Sequence, residues 1–402
     1  MKKLIVILMA ILTAYSCKKP FAPVAISSHN SYLVVEGVIN SGADSTHFRL
    51  SRTEKLSARD TVIPELNAVV TIEGDNNTSY PLYEIADGNY AAPPLGLAAT
   101  AKYRLRIKTS NSEEYLSDYV ETKTTPSVDS VTYTVENEGV QFYVSTHDPN
   151  NAARYYRWDF DETWGYFAYE RSYFKIGDDG LPAYRIGQQE LIYECYKSGQ
   201  SHQVLLATSS RLAQDVINKQ PLDFITAGSG KVSHGYSVLF RQYALTPEAY
   251  NFWQQIKKNT EDIGTIFDVQ PSEVPGNIHC ISNPSQPVIG FISTCNITSK
   301  RVFVDAQSTV VVAPFYLPPP TAIDCEQFFT HTILVEPQES FKTRLQHVMF
   351  NGDTVLTVAY TNPNTGKISS YGYVAKQCAD CRAKAPFGTN TVPAFWPANE
   401  HY

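Results

Sequence analysis

The sequence predicts a mainly β protein, in which an N-terminal immunoglobulin-like β-sandwich is followed by a larger β-sandwich-type domain with a few short helices. Three observations support this fold class: short runs of alternating apolar and polar residues, turn residues that separate them at intervals of about ten residues, and few stretches of helical periodicity. The 402-residue chain is 12% aromatic, with 26 tyrosines, and only 18% charged. This composition is typical of a folded, β-rich extracellular protein and argues against a disordered stalk.

The first predicted domain, residues 31–125, carries the alternating pattern most clearly. Residues 32–39 form an apolar run that ends at Asn40-Ser41-Gly42, and residues 103–108 alternate strictly with period two. Such runs indicate strands, and about seven short strands separated by turns are typical of a small immunoglobulin-like sandwich. Thr124-Thr125-Pro126 is the predicted linker to the next domain.

The second predicted domain, residues 126–402, resumes the β pattern with alternating runs at residues 131–135 and 155–160. Its clearest helical signal lies near residues 246–262, where Thr246 is placed as the N-cap and Pro247 as the first helical residue. A loop-rich tail that carries cysteines ends the domain. We therefore expect a second β-rich domain with an inserted helix and a disulfide-bearing C-terminal tail.

The N-terminus resembles a lipoprotein signal peptide. An apolar run over residues 4–12 follows two lysines and precedes Ala14-Tyr15-Ser16-Cys17. The run is shorter than the ~18 residues that a membrane-spanning helix needs, and small residues before a cysteine are typical of cleavage by lipoprotein signal peptidase. We expect residues 1–16 to be removed, Cys17 to be lipidated, and residues 17–30 to tether the fold to a membrane, because several acyl chains together anchor a protein stably.

Six further cysteines are disulfide candidates: Cys195, Cys280, Cys295, Cys325, Cys378 and Cys381. An even number of cysteines in an exported protein favours disulfides. Cys280 and Cys295 flank a turn and a short strand-like run, so a hairpin bridge between them is expected, with Cys325 paired to Cys378 or Cys381. The spacing of the last two also resembles half a zinc site or a redox motif. Structural disulfides are favoured, because no second cysteine or histidine pair exists and the segment is loop-rich.

The sequence contains no motif for a metal, a nucleotide or a hydrolase nucleophile, so no metal and no cofactor are expected. The net charge of −7 and the absence of any basic run exclude nucleic acid as a partner. Asp148 lies in a loop that suits either calcium or a solvated turn, and the turn is favoured. Asp159, Asp161 and Glu162 are candidates for paired catalytic carboxylates, and the first two share one face of a predicted strand, but nothing in the sequence gives them different environments. We therefore do not expect an enzyme.

Aromatic residues are concentrated between residues 155 and 174. Alternation supports core packing as far as Phe160 and then stops, so a loop with exposed aromatics is predicted at Trp164, Tyr166 and Phe167. Exposed aromatics are frequent anchors for ligands and protein partners. Packing of these rings in the core is the alternative, and it is favoured for the cluster as a whole.

Several segments resemble, in combination, the Bacteroidota lipoproteins grouped as domain of unknown function 4249. These segments are Leu33–Ile39 shortly after Cys17, Gly276-Asn277-Ile278, Asn283-Pro284, Val288–Ser293, Cys378–Arg382 and Pro393–Trp396. The resemblance covers nearly the whole mature chain. Proteins of this family are typically encoded beside TonB-dependent outer-membrane receptors, which implies an accessory role in nutrient or metal uptake. The family supplies no catalytic residues.

The resulting expectation is an outer-membrane-anchored accessory or binding lipoprotein that acts with a TonB-dependent receptor on an unidentified ligand. Two alternatives stay open: a cell-surface hydrolase or glycan-processing enzyme, and a structural or adhesive surface module. Lys18 and Lys19 stand where surface-exported lipoproteins of these bacteria often carry acidic residues. Both the cell surface and the periplasmic face of the outer membrane are therefore open.

Overall fold

The structure is a computed structural model. It describes residues 31–54, 62–136, 138–187, 190–261, 274–304, 325, 331–349, 352–383 and 387–397. The lipidation site Cys17 and its signal peptide lie outside the described residues. Within them the chain is dominated by strands, so the predicted mainly β fold is confirmed. None of the helices in the described part of the chain is long and apolar enough to cross a membrane.

The described residues of the first half form a series of strands. These are β1 (Leu33–Asn40), β2 (Thr46–Arg52), β3 (Ile63–Pro64), β4 (Val69–Gly74), β5 (Ser79–Ala86), β6 (Asn89–Ala92), β7 (Lys102–Lys108), β8 (Glu114–Ser117), β9 (Val120–Lys123), β10 (Val128–Glu136), β11 (Gly139–Asp148), β12 (Tyr155–Phe167), β13 (Phe174–Ile176), β14 (Pro182–Tyr184) and β15 (Glu194–Gln200).

The described residues of the second half form further strands and several helices. They are β16 (Leu205–Thr208), β17 (Asp215–Thr226), β18 (Tyr236–Ala244), α1 (Pro247–Thr260), β19 (Ile278–Cys280), β20 (Val288–Ile289), β21 (Thr294–Cys295), β22 (Thr298–Val304), β23 (His331–Leu334), α2 (Gln338–Met349), β24 (Thr354–Thr361), β25 (Ile368–Ala375) and α3 (Lys376–Ala379). Helix α1 begins where the sequence predicted, because the Thr246 hydroxyl accepts a hydrogen bond from the Ala249 amide at 3.2 Å.

The N-terminal strands form one closed sheet. Its order is β7-β4-β5-β6-β2-β1-β21-β9, and β9 pairs back onto β7. Inward-facing side chains alternate as predicted along β7, where Tyr103, Leu105 and Ile107 are buried. The β-sandwich predicted from the sequence would have two separate packed sheets in this region. The strand pairing instead joins the strands in a single closed path, which leaves fewer unpaired edges.

Three strands of this unit come from far along the chain. Strand β19 pairs with β8, while β20 and β21 pair in parallel with β1. They belong to residues 278–295, which the sequence analysis placed in the second domain. The N-terminal unit is therefore built from residues 31–125 together with a returning segment. Local periodicity indicates that a strand exists, but it does not indicate which sheet the strand joins.

Two glycines and an asparagine hold the returning segment, residues 278–295, in place. A Cβ on Gly276 would lie 1.9 Å from the Gly290 carbonyl oxygen, and a Cβ on Gly290, whose φ is +141°, would lie 2.3 Å from the Val35 carbonyl oxygen. The Asn277 amide accepts from the Ile292 backbone nitrogen at 2.7 Å and donates to the Ile292 carbonyl at 3.0 Å. Gly276 and Gly290 are required at their positions because only glycine fits such close backbone approaches.

Two further sheets share the central core. One has the order β10-β11-β17, and the other has the order β15-β12-β18-β22 with β16 also paired to β12. Phe142 from the first sheet packs on Phe240 from the second, with ring centroids 5.8 Å apart. Trp158 and Phe160 are buried in the same core, as alternation predicted. A smaller unit places helix α2 against the sheet β23-β25-β24, around Phe341 and Leu345.

Two disulfides fasten the C-terminal tail. Cys381 is bonded to Cys195 on β15, and Cys378 is bonded to Cys325, which was one of the two expected pairings. The expected bridge between Cys280 and Cys295 is wrong, since both are free and buried. The two residues lie on strands with different neighbours: β19 is paired to β8, whereas β21 lies between β1 and β9. The segment between them is therefore not a hairpin.

Candidate functional site

A polar cleft of about 660 Å³ opens at the end of the closed sheet where β1 begins and β2 ends. Register places two loops there, because Cys280 pairs with Tyr115 and Leu33 pairs with Val288. We call this site the end cleft. Its lining residues are Ser31, Tyr32, Arg52, Glu65, Ser110, Asn111, Glu113, Asn283, Ser285, Gln286 and Pro287.

Arg52 is the centre of the end cleft. Its Nε donates to Glu65 Oε2 at 2.5 Å, and its two terminal nitrogens donate to Glu113 Oε2 and to the Tyr115 hydroxyl, both at 3.3 Å. Burial by itself lowers the pKa of Arg52, but the hydrogen bonds to Glu65 and Tyr115 outweigh burial and raise it. The guanidinium therefore stays charged and is paired with two carboxylates of the same cleft, so the three groups together carry one negative charge.

Glu113 completes the floor, and the buried Tyr115 supports it from behind. The buried Tyr115 hydroxyl donates to Glu113 Oε2 at 2.8 Å and accepts from Gln286 Nε2 at 3.2 Å. Burial, followed by the bond to Glu113, raises the pKa of Tyr115, so the hydroxyl stays protonated. Burial also opposes ionisation of Glu113, yet hydrogen bonds from Tyr115 and Asn111 and the charge of Arg52 lower its pKa. The floor is thus a fixed arrangement of ionised and hydrogen-bonded groups.

Other lining groups are available to a ligand. Asn283 Oδ1 accepts from the Ser285 hydroxyl at 2.8 Å. The Asn283 amide nitrogen and the Ser110 hydroxyl line the cleft and have no hydrogen-bond partner among the residues that the structure describes. No group of three metal-ligating side chains occurs within the described ranges. The arrangement is suited to hydrogen-bonding a small polar molecule.

The aromatic residues predicted as an exposed binding loop lie elsewhere. Strand β12 continues to Phe167, and Tyr166 is 9% exposed. Trp164 lies beneath the Lys231 ammonium group, 4.8 Å from its ring centroid, and Phe167 stacks on Tyr193 at 4.8 Å. The expected loop is therefore wrong. Alternation fails after Phe160 because this part of β12 is covered on both faces.

The paired aspartates of β12 are held by one arginine. Arg241 Nε donates to Asp159 Oδ1 at 2.7 Å, while its terminal nitrogens donate to both oxygens of Asp161 at 2.5 and 2.9 Å. The hydrogen bonds to Asp161 raise the pKa of Arg241 even though burial opposes them. The two carboxylates share a strand face as predicted, and a structural ion-pair network accounts for them.

A second acidic cluster contains Glu162, which the sequence offered as a candidate carboxylate, and Asp223, which it did not. Glu162 accepts from Lys231 Nζ at 2.5 Å and from the buried Tyr236 hydroxyl at 2.9 Å. Burial, with the nearby charge of Glu162, raises the pKa of Asp223. These residues come from four separate segments, so no spacing in the sequence pointed to the cluster. Unequal environments for two carboxyls occur at acid–base sites and also in structural networks.

The end cleft was missed for the same reason. Arg52 and Glu113 look like ordinary strand and turn residues in the sequence, and Gln286 follows them by more than 170 positions. The signal that was present is a pair of polar turns, Ser110–Glu113 and Asn283–Gln286. Only the return of residues 278–295 to the first sheet brings these turns together.

Comparison with curated proteins gives no match. Among solved structures, the chain is similar to that of the Yersinia pseudotuberculosis adhesin InvE, with 13% identity and a TM-score of 0.14 over 54% of this chain and 55% of that one. The chain thus spans about half the length of that protein, and a likeness this weak carries no argument. A family described as "Domain of unknown function (DUF4249)" matches residues 18–301, which include the whole closed sheet. The chain belongs to this family.

Proposed function

We propose that this chain is an outer-membrane-anchored binding lipoprotein that acts with a TonB-dependent receptor in uptake, and that the end cleft binds the molecule taken up. The observation that carries the proposal is the end cleft itself. Its charged floor is satisfied internally, while other hydrogen-bonding groups are left for a ligand. Preformed clefts with a few fixed polar groups are the usual form of small-molecule sites.

The predicted anchor supports a role beside a membrane receptor. Residues 18–31 connect Cys17 to the start of the closed sheet, and fully extended they reach at most about 50 Å, at roughly 3.3–3.6 Å per residue. The end cleft lies at the end of the sheet that the tether enters, since Ser31 and Tyr32 line it. The cleft is therefore within reach of a receptor in the same membrane.

The anchor is tested by Cys17→Ala, which removes the thiol that would be lipidated. We expect the variant to leave the membrane fraction, as followed by immunoblot of separated outer-membrane and soluble fractions. Cys280→Ala is the matched control, because it removes a thiol that is buried and free in the fold. A Cys17→Ala chain that still sediments with the outer membrane would show that the anchor is wrong.

The receptor partnership is tested by affinity purification from solubilised outer membranes. The tagged wild-type chain should recover a TonB-dependent receptor, and an unrelated lipoprotein with the same tag and abundance serves as the control. If no such receptor is enriched over the control after mild cross-linking, the proposed partnership fails. An adhesive or purely structural role would then be favoured.

A further inference from the structure

We propose that the ligand of the end cleft is an uncharged, polyhydroxylated molecule of the saccharide class. The inference rests on the proposed function, since it takes the end cleft as the ligand site and names the chemistry that the site recognises. Three features of the cleft carry it: the pairing of its charged groups with one another, the kind of hydrogen-bonding groups that line it, and the rigidity of its floor.

The charges of the cleft disfavour an ionic ligand. Arg52 is the single cation among the lining residues, and it is bonded to both Glu65 and Glu113. An anion would meet two carboxylates and no cation that lacks a carboxylate partner. Like charges in a confined site repel. A cation would compete with Arg52 for the carboxylates that it bonds, and displacing a guanidinium that is 11% exposed would leave it without its partner. A neutral ligand avoids both costs.

The remaining lining groups are suited to hydroxyls. Serine hydroxyls and the side-chain amides of asparagine and glutamine each present a donor and an acceptor. The hydroxyl of a saccharide also donates and accepts, so it can hydrogen-bond to these groups in either direction. An apolar ligand would bury them without partners, which is unfavourable. The lining therefore selects a molecule with many neutral hydroxyl groups over an apolar one.

The floor holds these groups in place before a ligand arrives. The Thr109 hydroxyl donates to Asn111 Oδ1 at 2.5 Å, and Asn111 Nδ2 donates to Glu113 Oε2 at 3.1 Å, so the turn between β7 and β8 is braced. Gln286 is bonded to the buried Tyr115 hydroxyl, which braces the turn before β20. Because both turns are already ordered, binding a flexible saccharide does not also require ordering of the protein.

The test is isothermal titration calorimetry on the mature full-length chain carrying Cys17→Ala, which removes the lipid and the need for detergent. The probes are neutral oligosaccharides of three to six glucose, mannose, galactose or xylose units. Oligomers of galacturonic acid form the anionic arm, oligomers of glucosamine form the cationic arm, and trialanine and tetra-alanine form a peptide arm. We expect at least one neutral oligosaccharide to bind, and its acidic or basic counterpart to bind at least tenfold more weakly.

Two variants locate the binding. Asn283→Ala and Ser110→Ala should each weaken binding of the neutral ligand about five- to tenfold, the loss expected for one hydrogen bond. Gln254→Ala is the matched control, because Gln254 is an exposed amide on α1 that does not line the cleft. Thermal unfolding of all variants verifies that they are folded. Asn283 is exposed, so its replacement should leave the fold intact.

Several outcomes would overturn the inference. They are tightest binding in the anionic, cationic or peptide arm, no binding by any neutral oligosaccharide, and variants that bind as Gln254→Ala does. The proposed function fails separately. Binding of a peptide at the end cleft would refute the saccharide class while keeping a binding role, whereas saccharide binding without receptor recovery would refute only the partnership.

Discussion

Tyr166→Phe removes one hydroxyl group from β12 and is expected to loosen the C-terminal tail. The hydroxyl donates to the Cys381 carbonyl at 3.0 Å and accepts from the Gly388 backbone nitrogen at 2.6 Å. Each lost hydrogen bond costs about 0.5–1.5 kcal/mol, and a buried group left without a partner costs about 1–3 kcal/mol. With Tyr166 only 9% exposed, we expect the free energy of unfolding to fall by about 2–3 kcal/mol. The Cys195–Cys381 disulfide still holds the tail covalently.

The assay is urea unfolding with the disulfides intact, followed by circular dichroism. Tyr155→Phe is the matched control on the same strand, because the Tyr155 hydroxyl has no hydrogen-bond partner within the described part of the chain, and it should change stability by less than about 0.5 kcal/mol. Hydrogen exchange at the Gly388 amide gives a local readout and should become faster in Tyr166→Phe. If Tyr166→Phe is as stable as Tyr155→Phe, the tail is not held by this hydroxyl.

The remaining predictions concern titration and thiols. Burial lowers the pKa of His234 from 6.5 to about 4. Its contribution to stability is therefore complete above about pH 6.5 and falls by up to about 3 kcal/mol as the pH drops toward 4. Urea unfolding at pH 7 and pH 4 should show a larger loss for the wild type than for His234→Gln, and equal losses would contradict this. Burial and the charge of Glu162 raise the pKa of Asp223, so the folded protein favours the neutral carboxyl. Below the ordinary pKa of 3.8 the carboxyl is neutral and costs no stability, and stability is lost as the pH rises and the carboxyl ionises. Asp223→Asn should therefore raise Tm at pH 7 and leave it unchanged near pH 3. A lower Tm of the variant at pH 7 would show that the pKa of Asp223 is not raised in the folded protein. Maleimide should label two thiols, Cys280 and Cys295, in the unreduced mature chain, and only after denaturation. Labelling of six thiols would show that the disulfides are absent.

Local physical rules accounted for individual elements. Strand β7 alternates in burial as its sequence alternates in polarity, because one face of a strand is packed while the other is exposed. Helix α1 starts at Pro247 since a threonine before a proline satisfies the first free amides. The alternation rule failed at Tyr166, because this end of β12 is packed on both faces. A strand covered on both faces has no polarity pattern, so its end was mistaken for a loop.

The sequence by itself determined the mainly β character, the position of α1, the burial of Trp158 and Phe160, and the pairing of Cys325 with one of two tail cysteines. The elements and the buried residues depend on neighbours within a few residues, and the disulfide pairing depends on a short list of cysteines. Only the tertiary structure decided that residues 278–295 return to the first sheet, that Cys280 and Cys295 stay apart, and that Arg52, Glu113 and Gln286 meet in one cleft. Strand pairing across a long stretch of chain depends on the shape of the whole core, which a local pattern does not contain.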